Sequence, residues 1–164
     1  LYSKDSFFNR DLSWLEFNNR VLDEAEKDSN PLLEKIKFLA ISSSNLDEFY
    51  MIRVSGIIAQ LKENYEKADF SGISPSEQLE AIKNKASSFT KAQDRVFSEL
   101  KDELKKENII LTDYSKIPEE VKVEFRDYYK SFIFPVLTPL AIDASRPFPF
   151  LLNKTLNILV SLSR

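Results

Sequence analysis

The sequence predicts a mainly α chain: an antiparallel three-helix bundle with an interrupted second helix, then the incomplete start of an α+β domain. Three observations carry this. Apolar residues recur at helical spacing through most of the first 107 positions, over a chain with only two glycines. Helix-start chemistry appears at several points ahead of those runs. After Asn108 the composition changes, and four of the seven prolines (Pro135, Pro139, Pro147 and Pro149) crowd into one short stretch.

Each element has its own warrant. Ser13 followed by Glu16 forms a capping-box pattern, and Trp14, Phe17, Val21, Leu22 and Ala25 give an amphipathic face to about Lys27. Asn30 and Pro31 read as a cap followed by a first-turn proline that restarts the chain as a second helix. Ser42, Ser43 and Ser44 interrupt that helix, because serine side chains compete for backbone hydrogen bonds. Asn45 with Glu48 reads as a new capping box, after which Leu46, Phe49, Tyr50, Met51, Val54, Ile57, Ile58 and Leu61 mark a wide apolar face. Gly56, inside this helix, suggests a close helix crossing, since a helical glycine costs ~1 kcal/mol relative to alanine.

A loop follows over 67–73. Ser74, Pro75 and Glu77 then combine cap, first-turn proline and capping-box glutamate. Leu79, Ile82, Ala86, Phe89, Val96, Phe97, Leu100 and Leu104 carry that helix to about Glu107, a length of ~45–50 Å. Residues 1–107 therefore form the helical domain and 108–164 the start of a second, with Arg164 read as a truncation point. In the second, 109–112 and 155–162 are strand candidates, and Pro118 opens a helix with Val121, Phe125, Tyr128, Phe132 and Ile133 on it.

Composition excludes several chemistries. There is no cysteine, hence no disulfide or thiolate, and no histidine, hence no imidazole base or ligand. Two glycines cannot build a P-loop or a dinucleotide-binding turn. The net charge of −3 argues against a nucleic-acid partner. No stretch approaches the ~20 apolar residues of a membrane span, and no targeting signal opens the chain, so it reads as cytoplasmic, with membrane association open.

The remaining polar candidates are modest. Asp47 and Glu48 are adjacent, so they project in different directions on a helix and make a poor catalytic pair. Arg53 lies among Phe49, Ile52, Val54 and Ile57, where a structural ion pair is preferred to ligand contact. Arg146 and Lys154 sit in the proline-rich segment as possible anion contacts, with their roles open. Trp14 reads as core. For Asn45 spacing favours an N-cap; the alternative is an amide at a helix start that hydrogen-bonds a ligand such as a nucleotide base.

Three stretches taken together change the weighting: FFNRDLSWLEFNNRVLDEA (7–25), PLLEKIKFLAISSSNLDEFYMIRVSG (31–56) and FIFPVLTPLAIDASRPFPFLLNKTLNILV (132–160). In order and wording they resemble the amino-terminal part of the histidine-dependent polyphosphate kinases. The first two resemble that family's helical N-terminal domain and the third the opening of its head domain.

The resemblance implies reversible transfer of the terminal phosphate of ATP to polyphosphate, through a phosphohistidine and with Mg2+. It implies that Asn45, the asparagine of SNLDEF, binds ATP near the adenine ring, with capping secondary. It also implies a homodimer or higher homo-oligomer. The catalytic histidines and Mg2+-linked arginines of the family belong to carboxy-terminal domains, so no catalytic or metal-binding residue is assigned here and this piece by itself is expected to be inactive. A non-catalytic dimerisation scaffold, using Phe7, Phe8 and Phe148–Phe150 as its apolar surface, is the competing reading.

Overall fold

The structure, a computed structural model, describes residues 6–143 and 145–162. The outer ends assigned to the two domains, Leu1 and Arg164, lie outside the described residues. The chain divides into two compact units, 1–111 and 112–164.

The first unit is built from α1 (Arg10–Asp23), α2 (Leu32–Phe49), α3 (Ser55–Lys62) and α4 (Pro75–Lys106), with one π-helical turn (Tyr50–Val54) joining α2 to α3 without a break. Cross-helix pairs fix the directions. Asn18 meets Asn45 and Asp11 meets Arg53, so α1 and the second rod run antiparallel. Lys35 meets Glu103 and Ser42 meets Gln93, so the second rod is antiparallel to α4 as well. The result is an up-down-up bundle with one interrupted helix.

Helix starts follow local chemistry, though not always the residues the spacing suggests. Ser74 forms the expected capping box with Glu77, ahead of Pro75. α1 begins earlier than the Ser13–Glu16 pattern indicates: the Asn9 side chain accepts from the amides of Asp11 and Leu12, so Ser13 is already inside the helix. At α2, Pro31 is the cap and its carbonyl accepts from Glu34 and Lys35, while Asn30 donates backward to the Glu24 carbonyl at 2.8 Å.

The largest departure concerns the interruption. Ser42–Asn45 lies within continuous α2, and the irregular turn comes later, at Tyr50–Val54. Ser42 Oγ donates to the Leu39 carbonyl at 2.8 Å, the back-bonding that lets a serine remain inside a helix. Asn45 is therefore no N-cap, and Glu48 closes no capping box. The π turn itself has a packing reason. Buried Phe49 and Val54 are five residues apart, a step that a regular helix would place on different faces. The extra residue brings Phe49, Val54 and Ile57 to the core and leaves Tyr50, Met51 and Ile58 on the exposed side of what reads in sequence as one wide apolar face.

Two apolar clusters fill the bundle. Leu15, Phe49, Val54, Ile57 and Ile82 form one, with Trp14 stacked on Phe49 at a 4.7 Å centroid separation. Leu22, Ala25, Phe89, Val96 and Leu100 form the other. Gly56 marks no close crossing: a Cβ there would meet nothing within 4 Å. Phe17 and Phe97, both read as core from spacing, are about half exposed.

The second unit contains α5 (Glu119–Tyr128), continued by a π turn (Tyr129–Ile133) and a short 3-10 turn (Phe134–Val136). Pro118 caps α5, as its position in the sequence suggests. Neither 109–112 nor 155–162 forms a paired strand among the described residues. An extended run needs a neighbouring ladder, and none of these residues supplies one.

Candidate functional site

The bundle's core stripes are apolar by period, and polar residues within them are conspicuous. On α1 the buried series runs Asp11, Leu15, Asn18, Leu22, and on α4 it passes Phe89 and Val96 with Gln93 between them. On α2, Ser42 is fully buried. Asn18, Ser42 and Gln93 meet across the three rods: Asn18 Nδ2 donates to the Ser42 carbonyl at 2.9 Å, and Gln93 Nε2 donates to Ser42 Oγ at 2.8 Å. Buried polar groups are tolerated when their hydrogen bonds are made, and no buried side-chain nitrogen or oxygen among the described residues lacks a partner.

Asn45 closes this layer at its edge. It is half-buried on α2, one turn beyond Ser42, and its Nδ2 donates to Asn18 Oδ1 at 3.0 Å. The structure thus places Asn45 beside Asn18, a residue that spacing alone passes over because asparagine in a core stripe looks like a break in the pattern. The signal was present: a polar residue at a position the period requires to be buried.

A second polar cluster surrounds Asp11. Arg53 Nε donates to Asp11 Oδ1 at 2.9 Å and Gln78 Nε2 to Oδ2 at 2.7 Å, the structural ion pair expected for Arg53. Burial pushes the Asp11 carboxyl above its ordinary range, against the Arg10 charge and the Gln78 hydrogen bond, which pull it down. Asn9 adds a tie from the start of α1 to the loop between α3 and α4, donating to Asp69 at 2.9 Å. These groups hold α1, the π turn and α4 together. Their polar atoms are turned toward one another, which suits an architectural role.

The other candidates are not gathered into either cluster. Asp47 and Glu48 are exposed on α2. Arg146 is exposed and faces Asp143 at 3.9 Å, and Lys154 sits in a turn with φ of 59°. A shallow cleft along the first turns of α1 is lined by Phe8, Leu12, Ser13, Glu16, Ser71 and Lys85, with Lys85 bonded to Glu16. It does not include Asn45. Among the described residues no group of three or more acidic, histidine or cysteine side chains could hold a metal ion. No helix among them is long and apolar enough to cross a membrane.

Comparison with known proteins places these residues in a family. The family model described as the polyphosphate kinase N-terminal domain matches residues 7–112, and that of the polyphosphate kinase middle domain matches 120–164. A polyphosphate kinase of Synechocystis sp. is 47% identical over 153 residues, covering 93% of this chain and 21% of that protein. One from Campylobacter jejuni is 42% identical over 160 residues, covering 98% of this chain and 23% of that protein. The crystal structure of polyphosphate kinase from Porphyromonas gingivalis superposes with a TM-score of 0.67 at 31% identity, over 87% of this chain and 20% of that one. The chain spans about a fifth of the length of these relatives. It belongs to the polyphosphate kinase family, and the layer that holds Asn45 lies within the stretch matching the family's N-terminal domain.

Proposed function

We propose that the full-length protein carrying this chain reversibly transfers the terminal phosphate of ATP to polyphosphate through a phosphohistidine, with Mg2+, and that this chain supplies part of the adenine side of the ATP site. Residues 1–107 would be the domain that contributes to that site, and 108–164 the opening of the head domain. Asn45 is the ATP-contacting residue.

The observation that carries this assignment is the fixed, half-buried amide of Asn45 in a chain of this family. A side chain held by a fully buried partner loses little rotamer freedom when it receives a ligand, which favours contact at that position. The chain has no histidine, so the phosphohistidine and the transfer step reside elsewhere in the full-length protein. The 164 residues alone are therefore inactive. Magnesium, when bound, would neutralise phosphate charge. This chain's part is confined to the base.

The homo-oligomeric part of the proposal rests on apolar side chains left outside the core, among them Phe8, Phe148 and Phe150. A cytoplasmic location suits a protein acting on ATP.

The test is incubation of the full-length protein with ATP labelled in its terminal phosphate, and magnesium. Acid-labile, base-stable label on the protein together with polymeric phosphate is the expected result. A folded full-length protein that yields neither would leave the scaffold reading in place.

A further inference from the structure

We infer that Asn18 is a positioning residue that fixes which end of the Asn45 amide faces the ligand, and thereby makes this site select an adenine-type 6-amino group. The inference rests on the assignment of Asn45 to the base side of the ATP site.

The hydrogen-bond chain leaves one consistent polarity. A backbone carbonyl only accepts, so the Asn18 atom 2.9 Å from the Ser42 carbonyl must be the amide nitrogen. Asn18 must then present its oxygen to Asn45, and Asn45 must answer with its own nitrogen, at 3.0 Å. Asn18 has 0% exposure and is held by this chain of bonds across α1 and α2, so reversing it would oppose two acceptors inside the core. With one amide hydrogen given to Asn18, Asn45 keeps its carbonyl oxygen and its second amide hydrogen for a further partner.

A carbonyl acceptor recognises a donor. The 6-position of adenine carries an amino group, whereas that of guanine carries an oxygen. Asn45 Oδ1 therefore accepts from adenine and opposes guanine. This explains why a fully buried asparagine occupies a core position of α1: it sets the direction of a hydrogen bond made on the surface. A leucine at position 18 would fill the stripe but leave the Asn45 amide able to turn over.

The experiment uses the full-length protein and three triphosphates: ATP, GTP, and purine riboside triphosphate, which is ATP with hydrogen at the 6-position. For the parent, KM should rise about tenfold on removing the 6-amino group, and further for GTP. In Asn18→Leu the ATP preference over GTP should shrink to about twofold, because the Asn45 amide can then turn its nitrogen toward the 6-oxygen, while the preference over purine riboside triphosphate is kept. Val96→Ala, a core change of comparable disruption elsewhere in the bundle, should keep the parent's preference.

A folded Asn18→Leu with the parent's preference for ATP over GTP overturns the inference. If that variant does not fold, the parent decides: equal KM for ATP and purine riboside triphosphate also overturns it. The underlying assignment is separable. Should Asn45→Ala leave the KM for ATP unchanged, Asn45 is no part of the site. Should Asn45→Ala raise that KM while Asn18→Leu keeps the preference for ATP over GTP, only the orienting role of Asn18 is lost.

Discussion

The two units of this chain are both rich in large apolar side chains, yet they use them in opposite ways. Every buried hydrophobic residue among those described lies between Leu15 and Leu104. In the second unit Phe150 is 91% exposed and Leu156 94%, and none of its described residues is buried. A helix closes its own backbone hydrogen bonds and needs only a stripe of neighbours, which three rods provide for one another. An extended segment needs a paired strand as well as a covering layer, and among the described residues, 137–143 and 145–162 find neither within their unit. Apolar content therefore foretells a core only where the elements that would complete it are at hand.

The largest test of this contrast is amide hydrogen exchange on the 164-residue chain. Amides in the middle of α2 and α4 should be protected by about three orders of magnitude or more, while those of 137–162 exchange at nearly unprotected rates. Comparable protection in both units would break the comparison. Truncations sharpen it. Phe49→Ala removes a ring that is 2% exposed and stacked on Trp14, and should cost about 3–5 kcal/mol in denaturant unfolding. Phe150→Ala should cost less than about 0.5 kcal/mol.

Smaller effects follow from particular sites in the bundle. Gly56→Ala should stabilise it by about 0.5–1 kcal/mol, because Gly56 is helical and an added methyl group meets only open space. Thermal midpoints of the two proteins check this directly. The smallest effect concerns Asp69. Burial raises its carboxyl, but hydrogen bonds from Ser71, the Ile73 amide and Asn9 together hold it below the ordinary 3.8. A lowered carboxyl contributes stability above its unfolded value and loses it as pH falls through the folded one. The advantage of the parent over Asp69→Asn should thus be present at pH 7 and close below about pH 4. Midpoints of both proteins across that range would reveal it, and a gap independent of pH would contradict it.

Much of the bundle is legible in the sequence because its signals are local. The Ser74–Pro75–Glu77 start and the period of α4 depend on residues within a few turns of one another. The break assigned to Ser42–Ser44 misleads for an equally physical reason. A serine hydroxyl that would compete with the helix in isolation instead returns its proton to Leu39, and buried Asn18 takes the Ser42 carbonyl as an additional acceptor. That compensation comes from α1, 24 residues away in sequence, and no local pattern displays it.

The candidate site divides along the same line. Asn45 is proposed from its SNLDEF setting and the family it resembles, and its surroundings were not legible: spacing makes it a cap, whereas the structure makes it the edge of a three-helix polar layer. Asn18 and Gln93 were missed because the period was scored by apolar residues, so polar substitutes in the stripe registered as gaps. Arg53 was legible as an ion-pair member, while its partner Asp11 emerges only when α1 is laid against the π turn.

The measurement that bears most directly on the assignment of Asn45 is ATP binding to the full-length protein, parent against Asn45→Ala, by titration calorimetry, with circular dichroism to verify the fold. The account predicts an about three- to tenfold rise in Kd at an unchanged helical signal, the loss of one hydrogen bond. An unchanged Kd in a folded variant would contradict it and leave Asn45 as a buttress of the bundle alone.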